Sequence, residues 1–193
     1  MTKQAIQDLI QTYRSMNKTE AITLKRNFTR SVATCDDKAF FTFCSLTPFV
    51  CADIENPNTE IFFQTACMMA FYLSNNNAEE NEHEQNATNM QTMLRQVYQT
   101  AKAEQNEALI KRIELFLTGD GPEYTRFYSS LRSLIKMASL ETKMKYCDWE
   151  ALLRDLLYWD GDTSCRAKWT RMIVARPYTE NTKENNNHSE ERK

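Results

Sequence analysis

Apolar residues recur at intervals of three and four along nearly the whole chain, the spacing that places them on one stripe of an α-helix. The pattern predicts a first helix over about 3–16, with Ile6, Leu9, Ile10 and Tyr13 facing inward. A second, over about 19–33, turns Ile22, Leu24, Phe28 and Val32 inward and sends Lys25, Arg26 and Arg30 to another face. Asp36 or Asp37 supplies the N-cap of a short third helix that buries Phe40, Phe43 and Cys44 and stops at Pro48. Pro57 and Asn58 open a fourth, from Thr59 to about Ser74. Its apolar stripe (Phe62, Phe63, Ala66, Met69, Ala70, Leu73) is wide enough to place the helix in the core.

The periodicity lapses at 75–89, NNNAEENEHEQNATN, which has too little apolar surface to offset the entropy of ordering it and reads as a flexible insertion. Helices resume at about 90–103 (Met93, Leu94, Val97, Tyr98, Ala101) and 105–118 (Leu109, Ile110, Ile113, Phe116, Leu117). Gly119-Asp120-Gly121-Pro122 is a stop and restart, followed by helices from Glu123 to about Leu140, Asp148 to about Asp160 and about Thr163 to Ala175. The polar residues after Tyr178 are expected to be disordered. The fold class expected is all-α, with two small helical bundle lobes, 1–74 and 90–178, joined around the insertion at 75–89 and trailed by a tail at 179–193. Three glycines and four prolines are too few for the turns of an all-β fold of this length.

Charge qualifies this picture without redirecting it. The net charge of −2 argues against nucleic-acid affinity, but the insertion carries four glutamates and no Lys or Arg, and the tail four acids and three bases. Without those two segments 21 basic and 18 acidic residues remain, a mild excess beside the strongly basic footprint of a typical DNA-binding domain. No run of 18 apolar residues is present, and Gln7, Asp8 and Gln11 interrupt the region a signal peptide would keep apolar, so a cytoplasmic protein without a membrane segment is expected. The six cysteines form no C-x-x-C pair and read as small core residues rather than as a disulfide framework or zinc site.

Catalytic chemistry finds little support. The two histidines, His83 and His188, fall in the insertion and the tail, which leaves no general base for a triad. Asp36/Asp37, Asp53/Glu55 and Asp160/Asp162 are acidic pairs of the kind that hold a divalent cation, but they also suit helix caps and loops. Gly-rich phosphate loops and nucleophile elbows are absent from the sequence. No catalytic residue, metal ligand or cofactor is expected.

Basic residues on amphipathic helices are what remains. Lys25, Arg26 and Arg30 lie between Glu20 and Asp36 with no acid among them, Lys111 and Arg112 adjoin, and Arg132 and Lys136 share one face of their helix. From Thr163 to Arg176 the chain holds Arg166, Lys168, Arg171 and Arg176 and no acid, with Trp169 inside the run; cations beside an aromatic suit phosphate tracking and base stacking. These cations are expected on exposed helix faces. The three tryptophans Trp149, Trp159 and Trp169 invite a stacking reading too, but core packing is the favoured one, Trp149 following the cap Asp148 and Trp159 closing Leu152, Leu153, Leu156 and Leu157.

The C-terminal half carries a resemblance. KRIELFLTGD, then LRSLIKMA, then DWEALLRDLLYWDGDTSCRAKWTR is similar to the CasB family of type I-E CRISPR systems. Its marks are an Arg-bearing helix ending in a small loop (Arg112), an L-R-x-L-I helix (Leu131, Arg132), an Asp-Trp opening a Leu-rich helix that ends in Trp (Asp148, Trp149, Leu152 to Trp159) and a final basic helix (Arg166 to Arg171). LKRNFTR (24–30), AFFTFCSLTP (39–48) and IFFQTACMMAFY (61–72) agree more loosely, so the resemblance spans about residues 5–176. The Asn/Glu insertion and the polar tail lie outside the family pattern, and the C-terminal lobe carries fewer arginines than is usual for it.

That resemblance implies a non-catalytic small subunit of the Cascade surveillance complex of antiviral defence. Two copies would lie head to tail and bridge the backbone subunits, which hold the guide RNA, to the large subunit. The family also helps hold the target or displaced strand during R-loop formation. A second reading, favoured by the net charge of −2, is a helical protein-protein adaptor without nucleic-acid contact. A divalent-cation nuclease rests on the acidic pairs alone.

Overall fold

The structure, a computed structural model, describes residues 2–28, 30–48, 56–73, 89–119, 121–122, 125–141, 147–160 and 164–175, with side chains at 57, 73, 125 and 139–141 outside that description. Among the described residues there are nine α-helices and no strand. They are α1 (Lys3–Arg14), α2 (Lys18–Arg26), α3 (Asp37–Leu46), α4 (Pro57–Leu73), α5 (Met90–Ala103), α6 (Glu107–Thr118), α7 (Thr125–Glu141), α8 (Trp149–Leu157) and α9 (Cys165–Val174). The all-α expectation therefore holds. The insertion, Asn89 apart, and the tail lie outside the described residues.

Side-chain caps set most of the boundaries. Asn17 and Glu20 form a capping box on α2, and Asp36, Asn89, Asn106, Asp148 and Ser164 each accept a backbone N–H at the start of α3, α5, α6, α8 and α9. The periodicity carried α2 to about 33, but the helix stops at Arg26. Buried Asn27 is the reason: its amide donates to the Thr23 carbonyl at 3.1 Å and to Asp36 Oδ2 at 2.7 Å, and its Oδ1 accepts the Asp36 N–H at 3.1 Å. These bonds draw the chain into a turn that leads to α3. Phe28 and Val32 are buried as expected, from the turn rather than from a helix, while Ile22 is 38% exposed. At the C-terminus of α6, a Cβ on Gly119 would come 2.7 Å from the Leu115 carbonyl oxygen, so only glycine fits there.

Buried side chains from all nine helices form one apolar cluster. α2 packs on α3 and α4, and α5 on α6, α7 and α9, whereas α8 lies mainly on α1 and α4. Trp149 of α8 meets Tyr72 of α4 edge to face at 5.7 Å, and Glu150 accepts from Gln7 Nε2 of α1 at 3.2 Å. The opposite side of α8 carries Asp155, a carboxylate only 4% exposed. Its Oδ2 accepts Gln91 Nε2 of α5 at 2.5 Å and Trp169 Nε1 of α9 at 2.8 Å, and the Cys165 thiol lies 3.8 Å from Oδ1. Phe116, Phe127, Trp159 and Trp169 stack around one another beside it with centroids 5.0 to 6.1 Å apart.

Asp155→Ala should destabilise the protein by about 3 kcal/mol, because it strands two buried donors. Asp155→Asn, which keeps an oxygen where both donors converge, should cost clearly less; urea unfolding followed by circular dichroism ranks the two. The turn from α5 to α6 gives a prediction of opposite sign. Gln105 sits at φ 55°, with Asn106 N–H bonded to the Ala101 carbonyl and its own N–H to that of Lys102. Gln105→Gly should relieve the left-handed strain and stabilise by about 1 kcal/mol, read as a rise in Tm.

Candidate nucleic-acid interface

Of the eleven basic residues picked out in the sequence, ten are described and fall into three groups. In the first, α2 and the turn after it carry Lys25, Arg26 and Arg30, the last two exposed and Arg30 on the turn rather than on a helix. The turn is closed at its ends by Asn27 and Asp36. Asp36 is held below the usual carboxylate range, chiefly by the Asn27 amide, then by the Ala39 N–H it caps, with the charges of Arg30 and Lys38 adding to this.

Lys25 is half-buried, its Nζ 5.3 Å from the Phe71 ring. Phe28 and Phe71 stack with centroids 6.3 Å apart and an interplanar angle of 19°. Arg132 crosses from α7 onto the same pair, its guanidinium carbon 4.7 Å from the Phe28 centroid and 5.0 Å from that of Phe71. Cations well apart in sequence thus converge on one aromatic platform, each contact contributing about 0.5 to 2 kcal/mol by its degree of desolvation.

The second group lies on α6 and α7. Arg112 reaches across to α7, where Nη1 lies 3.4 Å from Ser133 Oγ and 3.9 Å from Met137 Sδ, the residues next in sequence to Arg132 and Lys136. Lys111, Arg112 and Lys136 are exposed. Cations from α2, α7 and α6 are thus brought near one another, Lys25 and Arg132 on the Phe71 ring and Arg112 beside the residues next to Arg132 and Lys136.

The third group, on α9, differs from expectation at Arg166, which is half-buried and pairs with Asp160 at 2.7 Å, so part of its charge is met within the chain. Trp169, for which core packing is the favoured reading over base stacking, is fully buried with its N–H committed to Asp155, because the α9 stripe that carries it faces α5 and α6. Lys168 and Arg171 remain exposed; Arg176 lies outside the described residues. The expectation of uniformly exposed cations is thus corrected at Lys25, Arg132 and Arg166, each half-buried by an aromatic or acidic partner.

Other reactive groups are structural. Cys67 and Cys147 are buried, and Cys35, Cys44 and Cys165 half-buried. Burial, with Asp36 adding to it, pushes the Cys35 thiol up to about 11, and burial likewise raises those of Cys67 and Cys147. Among the described residues no three His, Cys, Asp or Glu side chains come together as a metal site, and no helix is long and apolar enough to cross a membrane.

The sequence profile of the CRISPR-associated protein Cse2 family matches residues 23–178, most of the chain. The chain belongs to the Cse2 family. In fold it is similar to the crystal structure of M. ruber CasB, with a TM-score of 0.64 and 16% identity over 90% of this chain and 93% of that one. No curated protein matches it in sequence. Membership of the Cse2 family, also called CasB, makes the chain a small subunit of a type I-E CRISPR Cascade complex, a structural component whose partners are the other Cascade subunits.

Two features of this Cse2 chain escape the sequence reading. Phe71 sits on the most apolar helix, where nothing distinguishes a platform residue from a core one. Asp155 did carry a signal, as a lone acid inside LLRDLL, where a carboxylate on an apolar stripe implies buried donors.

Asp36 supplies a pH test. A carboxylate whose folded pKa is lowered contributes stability that is complete above its ordinary value and is lost as pH falls through the lowered one. Asp36→Asn keeps a competent cap but cannot titrate. The Tm of wild type should exceed that of the variant at neutral pH, and the gap should close on acidification below the ordinary carboxylate range.

Proposed function

We propose that this Cse2 protein is a non-catalytic bridge between the Cascade backbone and large subunits that stabilises the R-loop through sequence-independent phosphate contacts. The residues proposed to make them are Lys25, Arg26, Arg30, Lys111, Arg112, Arg132, Lys136, Arg166, Lys168 and Arg171. The nucleic acid concerned is the target or displaced strand, or the guide RNA that the backbone subunits hold. A second copy would lie head to tail with the first, each with an N-terminal lobe over 1–74 and a C-terminal lobe over 90–178.

The observation that carries this reading is the succession of cations from α2, α7 and α6, with Lys25 and Arg132 anchored on Phe71. A guanidinium resting on an aromatic ring loses part of its side-chain freedom before any ligand arrives, which lowers the cost of binding a phosphate. Exchanging a DNA duplex for an RNA-DNA hybrid is close to balanced, so a few such contacts suffice to tip it. The adaptor reading keeps one observation of its own: Phe41 is 77% exposed on α3 and Leu115 60% on α6, more apolar surface than a phosphate-tracking face requires.

Replacing Lys25, Arg26, Arg132, Lys136, Arg166 and Arg171 with Ala should weaken target-DNA binding by the assembled complex whatever the base sequence. Each lost contact should flatten the dependence of log affinity on log salt by about 0.7 to 0.9. Co-purification with tagged backbone subunits should be retained. Unchanged affinity and salt slope would favour the adaptor, and loss of co-purification would assign these charges to a subunit or guide-RNA interface.

A further inference from the structure

We infer that Glu60 and Gln64, on the first turns of α4, are positioning residues that fix the backbone of Arg30 for contact with a nucleic-acid phosphate, an inference that rests on the function proposed above. The turn between α2 and α3 is closed at its ends by Asn27 and Asp36 and braced within by Ser31 and Thr34, and α4 grips its middle from outside. Glu60 Oε2 accepts the Val32 N–H at 2.8 Å, and Oε1 accepts Gln64 Nε2 at 2.7 Å. The same Gln64 nitrogen donates its other hydrogen to the Arg30 carbonyl at 2.6 Å. A relay thus runs from the N–H of Val32 through two side chains to the carbonyl of Arg30, gripping the backbone on both sides of Ser31.

The residue types are specific to this task. Two N–H groups converge on residue 60, so both of its oxygens must accept; glutamine has one oxygen and would set an amide N–H against a donor. Residue 64 must give both hydrogens of one amide, which an apolar residue cannot do. The arrangement is costly: Gln64 is fully buried with its Oε1 unpartnered, and burial raises the pKa of Glu60 despite the two hydrogen bonds that favour its charged form. Around them α4 buries Ile61, Phe62, Phe63, Ala66 and Met69, so packing alone would be served as well by apolar residues at both positions.

What the relay secures is a turn whose one described cation, Arg30, is exposed while its backbone is pinned. The Arg30 N–H also donates to the Asn27 carbonyl at 2.9 Å, and the Asp36 carboxylate acts electrostatically on its charge. Phe71, with Lys25 and Arg132 upon it, is seven residues along α4 from Gln64, about 10 Å on the helix axis. One rigid helix therefore sets the spacing between Arg30 and that pair of cations.

The test is a mutant cycle in the full chain, read by binding of a fluorescent single-stranded DNA of mixed sequence over a range of salt, with Glu60→Gln, Gln64→Met and Arg30→Ala. Gln64→Met keeps the helix and the Glu60 bond to Val32 and removes the link to Arg30 together with the donor to Glu60 Oε1, so it carries the test if Glu60→Gln fails to fold. Each relay variant should weaken binding to within about twofold of Arg30→Ala and flatten the salt slope by about 0.7 as that variant does, and Glu60→Gln should also speed amide exchange at Val32. Adding Arg30→Ala to either should cause no further loss. Additive losses, or full affinity in the relay variants when Arg30→Ala is impaired, overturn the positioning role alone. Full affinity in Arg30→Ala itself means that this residue contacts no phosphate, and the inference then falls with the reading it rests on.

Discussion

A carboxylate sealed among apolar helices must have its lone pairs met, and meeting those of Asp155 fixes how α5, α8 and α9 stand to one another. Gln91 and Trp169 lie 64 and 14 residues from it in sequence, yet both donate to the same oxygen atom. Apolar contact is tolerant of small rotations, whereas two hydrogen bonds converging on one atom are not. The same helix turns its other side to α1 and α4 through Trp149 and Glu150. Asp155 thereby locates the C-terminal helices against the N-terminal ones, although it touches only the former.

This arrangement decides which chemistry is left for the surface. Trp159 and Trp169 are consumed by the aromatic cluster and Trp149 by Tyr72, so no tryptophan remains to stack on a base. On the function proposed above, recognition at this face falls to cations, and phosphate contacts are blind to sequence. A subunit that must serve any guide is suited by that limitation. The aromatics that do meet cations, Phe28 and Phe71, act through their faces as supports for Lys25 and Arg132.

The helices were legible in the sequence because their boundaries are written in caps and apolar spacing that act within a few residues. Asp36, Asn89 and Asp148 stand where the pattern changes and cap the helices that follow. The end of α2 was not legible, since periodicity continues through Phe28 and Val32 and only the bond from Asn27 to Asp36, nine residues away, breaks it. The place of Trp169 was only partly legible, for a related reason. A short basic run fixes composition but not orientation, and which side of α9 faces inward depends on a carboxylate on another helix. The convergence of Lys25 with Arg132 was hidden as well, because it depends on α7 bringing Arg132 onto the Phe71 ring of α4.

The mild charge excess of the helical segments acquires a physical sense at this point. A strongly basic face would bind any nucleic acid in the cell and hold it independently of pairing, which would blunt discrimination by the guide. Here several of the cations are tempered within the chain, Arg166 by Asp160 and Arg30 by the nearby Asp36. Tempered contacts of this kind gain most when several act at once on a strand that neighbouring subunits already hold near them, because the later contacts form at high effective concentration. Spacing then matters more than total charge. A rigid α4, pinned to the Arg30 turn at one end and bearing Phe71 at the other, is a structural means of setting it.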